Sequence, residues 1–254
     1  MKDSLLNSEN YLPPTERQLS MKRSKSRSLT VSLMYRLIRF GTVIFGKDGM
    51  ARLNLNASRL FGRFAFEFSS EQYGENFHNV SMALSEDILR RYIPDGGSVL
   101  DVGCGYGRAS RLAAKYADSV TGIDYDVDLI DIATRMTTSK NVEYVHGDVT
   151  KDLGGQKFGL VLLIHVIEHI DDADEILKTL LDVSNTIVVE VPDFESDPLN
   201  LVRFDQGLQF YSDADHVREY TEKILTDQLT RNGWKIIETR KNGGAVLAVA
   251  EALT

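Results

Sequence analysis

The stretch Val99-Leu-Asp-Val-Gly-Cys-Gly-Tyr-Gly107 decides the fold of this 254-residue chain. A short apolar run ends here in a loop with three glycines, and a helical pattern follows over residues 108–115. Glycine lets the backbone turn sharply and lets a ligand approach it closely, as in strand-to-helix loops that bind nucleotides. The glycines stand at alternate positions, unlike the G-x-G-x-x-G of dinucleotide-binding folds. This spacing argues against a nucleotide-dependent oxidoreductase.

Beyond the glycine loop, short β-branched runs alternate with helical patterns. This alternation predicts a doubly wound α/β fold with a mostly parallel sheet and helices on both faces. Only residues 240–244 separate the last two strands, which is too few for a crossover helix, so these strands are predicted to pair antiparallel. The predicted strands are 98–102, 119–124, 142–145, 158–164, 186–191, 234–239 and 245–250, and the predicted helices are 108–115, 129–136, 173–181 and 222–231.

Charge is unevenly distributed along the chain. It holds 29 basic and 37 acidic side chains, a net charge of −8. Residues 1–40 carry eight basic and three acidic side chains, a net +5, which leaves −13 for the remainder. The acidic body argues against nucleic acid as a partner. The single cysteine, Cys104, excludes a disulfide within the chain.

The N-terminal third differs from the rest of the chain in composition and in hydrophobic pattern. Residues 1–28 are rich in Ser, Lys and Arg and predict a disordered basic tail. Residues 29–92 predict a helical extension, with helices at 31–45, 51–66 and 81–92, and with Gly41 and Gly46 weakening or ending the first of them. A Pro-Asp-Gly-Gly break follows, and residues 93–254 are predicted to form the ligand-binding domain.

The lengths of the apolar stretches indicate where in the cell the protein is expected. None reaches the about 20 uninterrupted apolar residues of a membrane-spanning helix, and no signal-peptide core is evident, so we expect a cytoplasmic protein. The apolar run at 31–45 contains Arg36 and Arg39. Two hypotheses stay open for residues 20–46: peripheral contact with an anionic membrane, or a helix that packs on the domain or forms an oligomer.

Acidic side chains follow three successive predicted strands. Asp101 stands two residues before Gly103, where a carboxylate would repel a pyrophosphate but suits a ligand with an ammonium and a sulfonium group. Asp124 ends the second strand, where a carboxylate can accept ribose hydroxyls. Asp148 follows the third strand and can accept from an adenine amine. Together they predict a nucleoside ligand that carries positive charge.

These motifs, with Gly122-Ile-Asp-Tyr-Asp126 and His165-Val-Ile-Glu-His169, resemble class I S-adenosylmethionine-dependent methyltransferases over residues 70–250. The branch with ubiquinone-biosynthesis O-methyltransferases is the most similar. The resemblance implies a Rossmann-like, seven-stranded sheet whose last strand inserts antiparallel, and S-adenosylmethionine as the cofactor. Tyr73 and Phe77 are expected to close over that cofactor. The residues that the resemblance assigns to cofactor binding are Asp101, Gly103, Cys104, Gly105, Gly107, Asp124, Tyr125, Asp148, Val149 and His165.

Two histidines and a glutamate follow the fourth strand, at the sheet edge where ligands bind. His165, Glu168 and His169 leave three interpretations open: they hold loops or orient the substrate, a neutral imidazole acts as general base, or the site binds a divalent metal. Residues 215–221 also resemble a stretch of small-RNA 2′-O-methyltransferases, which implies Glu168, His169 and His216 as metal ligands. His165 stands where those enzymes have a glutamate, which argues against Mg²⁺.

His165, His169 and His216 are therefore the candidate catalytic residues, and the same three with Glu168 are the candidate metal ligands. We expect in-line methyl transfer to a small-molecule, saccharide or lipid-linked acceptor, on oxygen. Residues 78–91 and the long insert at 194–220 are expected to form the acceptor pocket. The alternatives are a non-catalytic regulatory protein that binds S-adenosylmethionine, and a metal-assisted RNA 2′-O-methyltransferase.

Overall fold

The computed structural model describes residues 29–74, 77, 82–213 and 215–253. Two compact units divide the chain: one runs to Ser81 and includes Pro198–Phe210, and the other comprises Met82–Asp197 and Tyr211–Thr254. The predicted basic tail at residues 1–28 lies outside the described residues. The predicted domain limits at residues 29 and 93 stay predictions.

The second unit is built on one seven-stranded sheet. Its strands are β1 (Ser98–Val102), β2 (Ser119–Asp124), β3 (Val142–His146), β4 (Leu160–Ile164), β5 (Thr186–Pro192), β6 (Trp234–Asn242) and β7 (Ala245–Ala252). They follow the spatial order β3-β2-β1-β4-β5-β7-β6. The first five strands pair in parallel, and β7 runs antiparallel to both β5 and β6. The predicted doubly wound sheet with its antiparallel last strand is confirmed.

The helices are α1 (Leu29–Tyr73), α2 (Glu86–Tyr92), α3 (Arg108–Ala113), α4 (Val127–Met136), α5 (Ala173–Thr179), α6 (Pro198–Asp205) and α7 (Glu222–Arg231). The third predicted helix is shorter than expected, because Ser85 has an extended backbone and α2 begins after it. A 3₁₀ turn, Leu180–Asp182, replaces the end of the predicted helix at 173–181. The sequence did not predict α6, which lies in the insert at 194–220.

The inner strands β1, β2, β4, β5 and β7 are buried on both faces, which explains their nearly continuous apolar sequences. Alternate residues of β4 face opposite cores: Val161 and Leu163 join one, and Leu160 and Leu162 join the other. All four of these side chains are fully buried. The carboxyl ends of the parallel strands are therefore held by two packed layers, and the loops that follow them have a rigid base.

α1 consists of two helical legs that meet at Gly46. This glycine has φ 70° and ψ 172°, a backbone that favours glycine, so the prediction that it ends the first helix is confirmed. Gly41 instead continues the helix, and a Cβ there would lie 2.8 Å from Met50 Sδ. Among the described residues, α1 is the one helix long and apolar enough to cross a membrane. The buried core helix of a soluble protein meets the same test.

Trp234 connects β6 to the helical layer and provides a test of the core. Its Nε1 donates to the carbonyl of Leu177 at 2.9 Å, which is one of the carbonyls left over at the end of α5. Trp234→Phe removes this donor and opens a cavity, so we expect the free energy of unfolding to fall by about 2 kcal/mol. Urea titration followed by circular dichroism measures the change.

The control is Ile237→Val on the same strand, where the side chain is 39% exposed. It should change the free energy by less than about 0.5 kcal/mol. Equal unfolding midpoints for the two variants would contradict the role of Trp234.

Candidate functional site

A cleft of about 680 Å³ lies at the carboxyl ends of the parallel strands in the second unit. Its volume suits a small-molecule ligand. The predicted site residues that line it are Gly103, Gly105, Asp124, Tyr125, Asp148, Val149, His165 and His169. Asp101, Cys104 and Gly107 belong to the same motifs but are not among the lining residues, and neither are Glu168 and His216.

The glycine loop presents backbone to the cleft. Gly105 and Gly107 both have left-handed φ angles, 50° and 72°. A Cβ at Gly107 would lie 2.0 Å from Tyr144 Oη, so this glycine is required by packing within the protein. A Cβ at Gly105 would meet no protein atom within 4 Å, and yet this residue lines the cleft. The open space beside Gly105 is therefore available to a ligand.

Asp124 fixes the loop and lines the cleft at once. Its Oδ2 accepts a hydrogen bond from the N–H of Gly105 at 2.8 Å, and its Oδ1 accepts from the N–H of Asp126 at 3.0 Å. A carboxylate oxygen has two lone pairs, so each can also accept from a ligand hydroxyl. This geometry is compatible with the predicted binding of ribose hydroxyls by Asp124, which stays a prediction.

Asp148 is held as an anion at another wall of the cleft. Lys151 Nζ hydrogen-bonds its carboxylate, as do the hydroxyl and N–H of Thr150, and these contacts lower the pKa of Asp148 to about 2. An ionised carboxylate can only accept hydrogen bonds, and an amine that binds to it donates them.

Asp101 and Cys104, both predicted to bind the cofactor, are buried, and that role stays a prediction. Asp101 is 1% exposed, accepts from the hydroxyl of Ser110, and has its pKa raised to about 6 by burial. It thus joins β1 to α3. Burial also raises the pKa of the Cys104 thiol well above its usual range. A thiol in that state is a poor nucleophile.

His165 has the most constrained conformation at the cleft. Its φ of 56° is the one left-handed backbone at a non-glycine residue in the described part of the chain. Its Nδ1 lies 3.2 Å from Glu168 Oε1, and its Nε2 lies 3.1 Å from Glu190 Oε1. Burial lowers the pKa of His165, but the two carboxylates outweigh burial and raise it to about 9.

Glu190 extends this network in a way that the sequence did not indicate. Its fully buried carboxylate also accepts from the N–H of Leu84 at 2.6 Å. β4 and β5 pair with Ile164 beside Glu190, which places Glu190 next to the residue that follows Ile164. The only signal in the sequence was a glutamate inside an otherwise apolar strand, where an unpaired charge is costly.

Glu168, His169 and His216 form a compact cluster beside His165. One potential ligand atom from each lies within 4.8 Å of the others. The imidazole rings of His169 and His216 meet edge to face, with their centroids 4.6 Å apart. Glu168 Oε2 is buried and has no hydrogen-bond partner among the described residues. The chain therefore brings together three of the four predicted metal ligands and leaves His165 outside the group.

Carboxylates orient both histidines of the cluster. His169 Nδ1 lies 3.2 Å from Asp215 Oδ2, and His216 Nδ1 lies 3.0 Å from Glu219 Oε1. The sequence did not indicate either acid as a partner of these histidines. A carboxylate on one ring nitrogen is the usual arrangement for a histidine whose other nitrogen binds a metal. The cluster therefore has the donor atoms of a metal centre and, in its imidazoles, groups that can accept a proton.

The remaining predicted residues lie in other parts of the chain. Phe77 packs against Phe66 in the first unit, with ring centroids 5.1 Å apart, and closure over a cofactor by Tyr73 and Phe77 stays a prediction. The two ends of the predicted acceptor insert are joined, because the N–H of Phe194 donates to the carbonyl of Tyr220 at 2.8 Å. Residues 78–81 of the other predicted acceptor segment lie outside the described residues.

Comparison with known proteins gives a consistent family. A family model described as a methyltransferase domain matches residues 75–239. A ubiquinone biosynthesis O-methyltransferase from Coxiella burnetii is 36% identical over 88 residues, which are 33% of this chain and 37% of that protein. N-methyltransferase 4 from Papaver somniferum is 31% identical over 119 residues, which are 41% of this chain and 33% of that protein. The chain thus spans about a third of the lengths of these relatives.

Solved structures share the fold. A SAM-dependent methyltransferase from Aquifex aeolicus superposes with a TM-score of 0.55 at 18% identity, covering 66% of this chain and 89% of that one. The magnesium protoporphyrin IX methyltransferase from Synechocystis PCC 6803, whose structure contains S-adenosylhomocysteine, gives a TM-score of 0.53 at 18% identity. It covers 66% of this chain and 81% of that one.

A methyl group added at Gly105 tests whether the cleft holds S-adenosylhomocysteine. Gly105→Ala puts a side chain where only ligand space is open, so we expect the affinity to fall at least about tenfold, because overpacking of this size costs more than about 1.4 kcal/mol. Left-handed alanine also costs about 1–2 kcal/mol of stability. Calorimetric titration with S-adenosylhomocysteine measures the affinity.

Gly154→Ala is the matched control. Gly154 has φ 57° and open space around it, but it does not line the cleft. This variant should lose similar stability and keep its affinity. If both variants bind S-adenosylhomocysteine as the unmodified protein does, the cleft is not the cofactor site.

Proposed function

The chain belongs to a family of S-adenosylmethionine-dependent methyltransferases, matched over residues 75–239, and from this premise we propose that it methylates a hydroxyl oxygen of a small-molecule acceptor. The observation that carries the oxygen acceptor is the Glu168–His169–His216 cluster, since His169 also lines the cleft. A hydroxyl must lose its proton as it attacks a methyl group, and the cluster offers a base, or the ligands for a metal, for that step.

The cleft has groups that fit the cofactor. The backbone of Gly105 is open to a ligand, Asp124 offers carboxylate lone pairs, and Asp148 is held ionised by Lys151. We assign the ribose hydroxyls to Asp124 and the adenine amine to Asp148, with Tyr125 and Val149 beside the adenine. When bound, S-adenosylmethionine supplies a methyl group that its sulfonium already activates, so the protein contributes alignment and exclusion of water.

We assign His165 a positioning role instead of the base. Both of its ring nitrogens face carboxylates, and its raised pKa keeps it protonated at neutral pH. A protonated imidazole has no lone pair to accept a proton or bind a metal. It does balance the charge of Glu168 and Glu190, and it engages Glu168 Oε1, while Oε2 has no hydrogen-bond partner among the described residues.

The name of one relative supports a small-molecule acceptor methylated on oxygen. The relative from Coxiella burnetii is named for O-methylation in ubiquinone biosynthesis, which supports a small hydroxylated acceptor. A saccharide or lipid-linked hydroxyl needs the same deprotonation. RNA 2′-hydroxyls do as well, but the net charge of −13 beyond residue 40 disfavours a polyanionic substrate.

Turnover with matched acceptors tests the oxygen assignment. The full chain is mixed with methyl-labelled S-adenosylmethionine and a panel of small molecules that carry hydroxyl groups, each paired with its amine analogue. We expect label in hydroxyl members alone, because the cluster is placed to remove the proton that a hydroxyl loses as it attacks the methyl group. Transfer to the amines would overturn the assignment. If the chain binds S-adenosylhomocysteine but transfers no methyl group to any small molecule of the panel or to RNA, the non-catalytic alternative is favoured.

Metal binding by the cluster is tested apart from activity. Two histidines and one carboxylate suit first-row divalent ions such as Mn²⁺ or Zn²⁺ better than Mg²⁺. We expect calorimetry to detect binding of Mn²⁺ or Zn²⁺ to the full chain, and Glu168→Gln to weaken it at least about tenfold. Glu175→Gln, at an exposed glutamate of α5, should bind as the unmodified chain does. No binding by the unmodified chain would leave the histidines as the base.

A further inference from the structure

The first leg of α1, residues 29–45, leaves large apolar side chains in contact with solvent. Leu33, Phe40 and Ile44 are 58%, 65% and 63% exposed. None of the most apolar 18-residue window of α1 is buried, and its mean hydropathy is 1.3. A continuous exposed apolar surface of this kind usually marks a site of contact with a protein or a membrane.

The apolar residues share one wide face of this leg. Successive residues of an α-helix are about 100° apart. Leu33, Leu37, Phe40 and Ile44 then form one stripe, and Met34, Ile38 and Phe45 continue the same face. Ser32, Arg36 and Arg39 form a narrow stripe on the opposite side, which also holds Val43. A broad apolar face with arginines on the polar side is typical of helices that lie in a membrane interface.

Positive charge is concentrated on and before this leg. Between Glu16 and Asp48 the chain has no acidic residue. Among the described residues no carboxylate pairs with Arg36 or Arg39. Such a basic segment beside an apolar helix is attracted to anionic lipid headgroups. The basic residues of this interval are Arg17, Lys22, Arg23, Lys25, Arg27, Arg36, Arg39 and Lys47.

The geometry favours lying on the membrane over crossing it. Gly46 ends the leg, and residues 29–45 span only about 26 Å at 1.5 Å per residue, less than the about 30 Å of a hydrocarbon core. A crossing helix would also place Arg36 and Arg39 near the bilayer centre, where charge is costly. In the interface, both arginines can reach the phosphates while the apolar face stays in the acyl chains.

The same features disfavour a second copy of the chain as the occupant. A helix pair buries a narrow seam. The apolar face here is much wider than such a seam. A second copy would also bring further arginines and, between Glu16 and Asp48, no acid to pair with them. We therefore propose that residues 29–45 bind the surface of an anionic lipid bilayer, a property that does not depend on which acceptor the enzyme methylates.

Vesicle binding by the full chain tests this proposal. We expect the chain to sediment with vesicles of phosphatidylcholine that contain phosphatidylglycerol, less so at high salt, and not with phosphatidylcholine alone. Arg36→Glu with Arg39→Glu should weaken binding at least about tenfold. Phe40→Ser with Ile44→Ser should also weaken it, because less apolar area enters the acyl chains.

Lys140→Glu with Lys235→Glu makes the same change in net charge at exposed residues of the second unit and should bind as the unmodified chain does. Circular dichroism melting checks that each variant folds. Absence of binding, equal binding to neutral vesicles, or an equal loss in the Lys140/Lys235 control would overturn the proposal. A third result would also overturn it: the unmodified chain binds no vesicles but forms a dimer without lipid, as measured by sedimentation equilibrium, and Phe40→Ser with Ile44→Ser abolishes that dimer.

Discussion

The hydrogen bond from the N–H of Gly105 to the carboxylate of Asp124 joins the loop after β1 to the end of β2, and the cleft depends on it. The other oxygen of Asp124 accepts from Asp126, which begins the turn into α4. One buried side chain thus fixes two loops at adjacent strand ends. Glycine adopts the left-handed backbone at position 105 readily, and its lack of a side chain leaves the space beside it open for a ligand.

A second constraint is the charge balance around His165. Glu168 and Glu190 are buried within hydrogen-bond reach of one imidazole, and two unpaired carboxylates in such a place would be strongly unfavourable. The imidazolium neutralises part of that charge and holds both acids in place. The strained backbone of His165 is therefore maintained by the network around it. Glu168 Oε2 then has no hydrogen-bond partner among the described residues, and Glu168 lies beside His169 and His216.

The sequence predicted what depends on local pattern and missed what depends on pairing at a distance. The β1 run and the glycine loop were evident because the periodicity and glycine spacing are local. The contact of Glu190 with His165 was missed, because it requires β4 and β5 to align in one register. Gly41 and Gly46 look alike in sequence, yet of the two only Gly46 takes a left-handed backbone, where the two legs of α1 meet, while Gly41 continues the first leg with Met50 of the second leg packed over it.

The uneven charge of the chain has a consequence for binding at a surface. An anionic membrane would attract the basic residues between Glu16 and Asp48 and repel the part beyond residue 40, which carries −13. Both effects fade beyond about 8 Å at physiological salt, so charge guides the approach only at short range. Binding that lasts must then come from apolar area. The wide apolar face of residues 29–45 provides that area, and the two arginines opposite it determine which lipids are preferred.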